Sequence, residues 1–97
     1  MPVTLLVQLW AVPGNELLLV EYEDQVLRRL APHGARILQR VRATDAHDGP
    51  FEVHLLEFPS EAALDDYMAD PERVALSELR ECAIARTAVA RVDVVRQ

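Results

Sequence analysis

His54 sits in the middle of the run Phe51–Phe58 (FEVHLLEF). A histidine near its ordinary pKa can take or give a proton at neutral pH, so His54 is a candidate acid/base group. It reads equally well as a hydrogen-bonded histidine at a packed interface. Arg40, Arg42, Arg91 and Asp93 fall at the same parity of strand-like segments. A guanidinium in partly apolar surroundings can clamp a carboxylate or phenolate, which nominates Arg40 and Arg91 as ligand-binding groups. The alternative is an ion pair across an interface or a strand-end arginine reaching solvent. Gln8, Trp10 and Phe58 complete the candidate lining. The two aromatics can stack on a planar ligand or serve as interface anchors.

Other chemistries find little support. His33, His47 and His54 show no metal-ligand spacing, and Cys82 stands alone, so no metal site is expected. Cys82 reads as a small buried residue rather than a reactive thiol. Ser60 looks like a helix cap, not a nucleophile. The three glycines form no phosphate-cradling loop, and no cofactor is expected.

The elements that must position these groups follow from periodicity. Residues 3–11 form an apolar run closed by Pro13-Gly14 and predict a strand. Asn15 can cap a helix on which Leu19, Tyr22, Val26 and Leu30 share one face, with Glu16, Glu21, Glu23, Arg28 and Arg29 largely elsewhere. Pro32 and Gly34 end it. Residues 36–42 and 51–58 predict a hairpin of two strands. Ser60 opens a short helix over 61–68, and Asp70-Pro71 opens a second segment running to about Ala85. Residues 87–95 predict a last strand. The order β-α-β-β-α-β is the split βαβ of ferredoxin-like α+β domains, with a four-stranded antiparallel sheet and helices on one face.

Strand side chains alternate between faces. One parity (Val3, Leu5, Val7, Leu9, Ile37, Val41, Phe51, Val53, Leu55, Ala88, Ala90, Val92, Val94) is almost wholly apolar and is expected under the helices. The other carries Gln8, Arg40, His54 and Arg91, yet also Leu6, Trp10, Leu38, Leu56, Phe58, Val89 and Val95. Such a face would expose more apolar surface than a monomer usually tolerates. A second copy of the chain is the simplest cover, and a different protein partner is the competing one.

Length and charge set outer bounds. Residues 1–97 fit one domain, which leaves little room for a sizeable pocket without a second subunit. A formal net charge of −6 argues against nucleic-acid binding and against docking on anionic lipid. A single cysteine fits a reducing compartment, and the N-terminus shows neither a signal peptide nor a membrane span, so the cytoplasm is the expected location.

The order of elements, together with LVEYEDQVLRRLAPHGARIL and LLEFPSEAALDDYMADPERVALSELRE, resembles the dimeric α/β-barrel superfamily, and most closely its branch of small bacterial proteins of unknown function. The most specific part is the turn Glu57-Phe58-Pro59-Ser60, followed by Tyr67 and Asp70-Pro71-Glu72. The resemblance implies two sheets facing each other across a homodimer, with a pocket in the shared barrel. It also admits quinone-forming monooxygenases, haem-degrading proteins and lactone isomerases, so the fold does not fix the activity. Haem-degrading members commonly use a first-strand Asn and a second-helix His. Here the first strand has Gln8, and residues 71–85 contain no His.

The sequence therefore predicts a homodimer that binds a small molecule. It could act without a cofactor on a small organic acid or aromatic compound in the barrel interior, with His54 as acid/base, Arg40 or Arg91 as anion clamp, and Gln8, Trp10 and Phe58 as lining. A non-catalytic structural dimer and a monooxygenase-like protein remain open as alternatives.

Overall fold

In the computed structural model, which describes residues 1–97, the apolar run Val3–Ala11 is strand β1. Helix α1 spans Glu16–Leu27 and is followed by a 3-10 turn over Ala31–His33. Gly34 closes that turn at a φ of 71°, a left-handed conformation that costs glycine little. Strands β2 (Arg36–Arg42) and β3 (Glu52–Phe58) form the hairpin, and α2 spans Glu61–Met68. Two short helices, α3 (Pro71–Val74) and α4 (Ser77–Ala83), lead into β4 (Ile84–Arg91). The sheet is antiparallel in the order β2-β3-β1-β4. This is the ferredoxin-like α+β arrangement. No helix is long and apolar enough to cross a membrane.

Local signals account for most element ends. Ser60 Oγ accepts from the Ala63 backbone N–H at 3.1 Å and caps α2. Asp70 Oδ1 accepts from Glu72 N–H at 2.9 Å and caps α3, with Pro71 in its first turn. Asp70 Oδ2 meets Arg29 Nη2 at 3.0 Å and His33 Nε2 at 2.7 Å, which ties the α2–α3 junction to the end of α1. Asn15 does not cap α1 with its side chain. Its Nδ2 donates instead to Cys82 O at 2.8 Å, where the end of α4 needs a partner for its carbonyls. The second helical segment is broken at Ala75–Leu76 rather than continuous, and the last strand begins at Ile84 instead of residue 87. Cys82 is exposed, not buried.

The register corrects the expected faces. Val3, Leu5, Val7 and Leu9 pair with Phe58, Leu56, His54 and Glu52 across β1–β3. Leu5, Val7 and Leu9 pair with Arg91, Val89 and Thr87 across β1–β4. Arg40 and Arg42 lie opposite His54 and Glu52. Directly paired residues share a face, so His54, Leu56, Phe58, Val89, Arg91, Arg40 and Arg42 lie on the helix-covered side. The open side instead carries Leu6, Gln8, Trp10, Val53, Leu55, Ala88 and Ala90. The physical reason is visible in β3, where Glu52, His54, Leu56 and Phe58 are all buried. The cost of burying Glu52 and His54 is met by Arg40 and Arg42, so apolar count alone did not decide the parity.

Two apolar clusters fill the space under the helices. One gathers Leu5, Leu27, Leu30, Phe58, Leu64 and Tyr67, and the other Leu9, Leu19, Tyr22, Val26, Ala83 and Ile84. Val7 packs against both without being fully buried. A cavity opens where they part.

Candidate functional site

The cavity has a volume of about 600 Å³ and lies between the sheet and the helices of a single chain. That volume is on the scale of small-molecule sites. Leu5, Val7, Leu9, His54, Leu56 and Phe58 form its floor on the sheet, and Tyr22, Glu23, Val26 and Leu27 of α1 form one wall. Buried Tyr67 from α2 and half-buried Arg73 from α3 and Arg80 from α4 complete the lining with Thr87, Val89 and Arg91 of β4, the last two exposed. The expected pocket lay between two sheets and needed a second subunit. The cavity of this chain lies on the opposite side of the sheet and is built by one subunit.

His54 is 1% exposed, at the cavity's inner end. Its Nε2 lies 2.7 Å from Glu52 Oε1. Glu52 is fully buried and is gripped by Arg40 Nε at 2.9 Å, Arg40 Nη2 at 3.1 Å and Arg42 Nε at 2.8 Å. Arg40 Nη1 reaches on to Asp24 at 2.7 Å. Burial alone pushes the Glu52 carboxyl up, but the hydrogen bonds from His54, Arg40 and Arg42 outweigh it and bring it down to about 2. Glu52 is therefore ionised at neutral pH and can only accept. The hydrogen on Nε2 is thereby fixed, and Nδ1 is the nitrogen left for chemistry.

Nδ1 faces Glu23 Oε1 at 3.6 Å. Glu23 lines the cavity and is 6% exposed. Burial raises its carboxyl to about 7; attraction to His54 opposes this, and repulsion from Glu52 adds to it. Two carboxylates thus flank one imidazole, one held ionised and one poised near neutral pH. Such a separation marks out an anchor and a proton carrier. Glu23 and His54 both line the cavity.

The sequence candidates divide clearly. His54, Phe58 and Arg91 line the cavity. Arg91 is engaged by Glu61 in a two-point contact at 2.6 and 3.1 Å. Arg40 does not line the cavity; it is spent on Glu52 and Asp24. Gln8 and Trp10 lie across the sheet from it, where the Arg86 guanidinium covers the Trp10 ring at 4.4 Å and Trp10 Nε1 donates to Asp48 O at 3.0 Å. Glu23, Arg73 and Arg80 also line the cavity and are not among the sequence candidates. Glu23 follows Leu19 by four residues and precedes Val26 and Leu27 by three and four. That is core-face spacing, and it was the available signal.

The comparisons with known proteins agree with the architecture. No curated protein matches the chain. Among solved structures, Rv0793 from Mycobacterium tuberculosis superposes with a TM-score of 0.77 at 16% identity, covering 100% of this chain and 98% of that one. The RPA0582 protein of unknown function from Rhodopseudomonas palustris gives 0.77 at 16%, covering 99% and 84%. SnoaB, a cofactor-independent oxygenase from Streptomyces nogalater, gives 0.74 at 8%, covering 99% and 95%. At these identities the likeness is one of fold. A family model matches residues 12–94, nearly the whole chain, and on that match this protein belongs to the family described as domain of unknown function DUF1330.

Proposed function

We propose that this chain is a homodimeric small-molecule-binding protein that acts, without a cofactor, as an acid–base enzyme on a small organic acid or aromatic compound held in the cavity. The observation that carries the reading is Glu23, a buried carboxyl at about 7 that faces a cavity of about 600 Å³ beside His54 Nδ1. A group whose pKa lies near the working pH is the most effective general base. Glu23 removes a proton from carbon or oxygen of the bound molecule, and His54 shares that proton while Glu52 holds its ring. Phe58, Leu56 and Val7 supply an apolar floor that excludes water.

The homodimer rests on the open face. Leu6, Trp10, Val53, Leu55, Ala88 and Ala90 form an apolar stripe there that no helix covers. A second copy laid sheet to sheet buries it.

Proton removal from carbon can be detected before the full reaction is known. The protein is incubated in D2O with a panel of small ketones, β-keto acids and hydroxyaromatic compounds, and loss of C–H signals is followed by proton NMR. Exchange is expected for at least one class, rising in rate as pH passes through about 7. It should disappear in Glu23→Gln and in His54→Ala. Exchange that survives both substitutions, or none with any compound, refutes the catalytic reading and leaves the non-catalytic dimer.

A further inference from the structure

The cavity's charge inventory is uneven. Four arginines of the chain are half-buried: Arg29, Arg40, Arg73 and Arg80. Arg29 pairs with Asp70 and Glu72, and Arg40 with Glu52 and Asp24. Arg73 and Arg80 both line the cavity, and neither pairs with any carboxylate. Arg73 lies over the Tyr67 ring at 5.1 Å, and its Nη1 makes only a long bond to Met68 O at 3.4 Å. Its Nε is shut off from solvent with no partner. Arg80 Nη2 donates to Thr87 Oγ1 at 3.0 Å, bridging α4 to β4. A guanidinium is charged at every working pH, and withdrawing it from water without an anion is costly. In a chain with a net charge of −6, two uncompensated cations in one cavity call for an explanation.

We infer that the cavity takes a small amphipathic carboxylate, its anionic head held by Arg73 and Arg80 and its apolar body lying over Val7 towards Glu23 and His54. This rests on the reading of the cavity as a ligand site and narrows its ligand to one that joins a carboxylate head to an apolar body. The other charges of the lining are consistent with it. Arg91 is already neutralised by Glu61, Asp65 is exposed, and Glu23, which feels the Arg73 charge, forms no ion pair with it and is raised by burial to about 7. The floor of Leu5, Val7, Leu56 and Phe58 suits a hydrocarbon or aromatic body and offers nothing to a bare inorganic anion. Two guanidiniums supply the donors that a carboxylate uses best.

The test compares matched probes that differ only in charge. Full-length 15N-labelled protein is titrated at low chloride with benzoate, phenylacetate and 3-methylbutanoate, and in parallel with their primary amides. Backbone signals and the Arg Nε–H signals are followed. The carboxylates are expected to bind at least about tenfold more tightly than the amides. They should shift the Arg73 and Arg80 Nε–H signals together with Val7 and Leu56. In Arg73→Gln/Arg80→Gln the preference for acid over amide should vanish. Equal affinity for acid and amide in the wild type overturns the anion clamp but leaves the cavity reading standing, and that arm needs no variant. A preference that survives the double substitution also overturns the clamp. Inorganic phosphate displacing the carboxylates at lower concentration than they bind overturns the choice of a carboxylate. If neither acids nor amides move any cavity signal, the cavity reading falls, and this inference with it.

Discussion

Replacing Glu23 by Gln should stabilise the fold by an amount that grows above pH 4.5 and levels off above about pH 7. The carboxyl moves from an ordinary 4.5 to about 7 on folding. At ~1.4 kcal/mol for each tenfold, its ionisation in the folded state costs about 3 kcal/mol. The sign follows from the order of the two values. Below 4.5 the carboxyl is protonated in both states and costs nothing. Between 4.5 and about 7 the unfolded chain loses the proton while the folded chain keeps it, so stability falls as pH rises. Above about 7 the folded carboxyl ionises too, and the penalty becomes constant. Glutamine cannot ionise, so the variant's advantage over the wild type should be near zero at pH 4 and reach about 3 kcal/mol by pH 8. A constant offset from altered contacts with His54 can be added to this without changing its slope. Urea denaturation of both proteins at one protomer concentration, from pH 4 to 9, reads the difference directly. A difference that stays flat over that range would mean that Glu23 titrates as an ordinary carboxyl, and the acid–base assignment would fail with it.

Two further outcomes follow from the same structure. Glu52→Gln leaves the Arg40 and Arg42 guanidiniums and the His54 ring facing a weaker acceptor in the interior, and should destabilise the fold by about 3–5 kcal/mol. Because Glu52 is lowered from 4.5 to about 2, the wild type's advantage should be full above pH 4.5 and be lost progressively as pH falls towards 2; an advantage unchanged at pH 3 in urea titrations would refute the network as described. On the open face, Leu6→Glu places a charge in the middle of the apolar stripe and should convert the proposed dimer to a monomer at micromolar concentration. Sedimentation velocity that gives the same mass for both proteins would remove this face as the interface.

Much of the fold was legible because its signals are local. The spans expected for β1, β2 and α2 match those observed, and Asp70-Pro71 marked the start of α3. The break at Ala75–Leu76 carries no Gly or Pro. The backbone bond from Val12 N–H to Ala83 O at 2.9 Å fixes where helix gives way to strand, and that is a tertiary contact. The error in strand parity has a sharper cause. In β3 both parities are apolar enough to be buried, Val53 and Leu55 on one side and Leu56 and Phe58 on the other. Glu52 and His54 make their parity the more polar one, which is why that parity is expected on the second face rather than under the helices. They are buried because Arg40 and Arg42 stand opposite them, and only the register reveals that pairing. Tryptophan on the first strand therefore belonged with the open face, while histidine on the third belonged with the cavity.

A chain of this size has little stability to spare, so uncompensated buried charge is informative about where function lies. Glu52 shows what full compensation looks like: a fully buried carboxylate with an imidazole and two guanidiniums within hydrogen-bond reach. Arg40 shows the same on the cationic side, and the charge of Arg29 is met by Asp70 and Glu72 although its Nε has no partner. The fold therefore can neutralise what it buries. It does so only weakly at Glu23, whose one ion-pair contact is His54 at 3.6 Å, and not at half-buried Arg73 and Arg80, which have no carboxylate within ion-pair distance. These three groups lie on different helices and are not neighbours in sequence, yet all three line one cavity. A purely structural interior would gain stability by pairing or removing each of them. Their convergence on one cavity is the observation that supports the proposed ligand site.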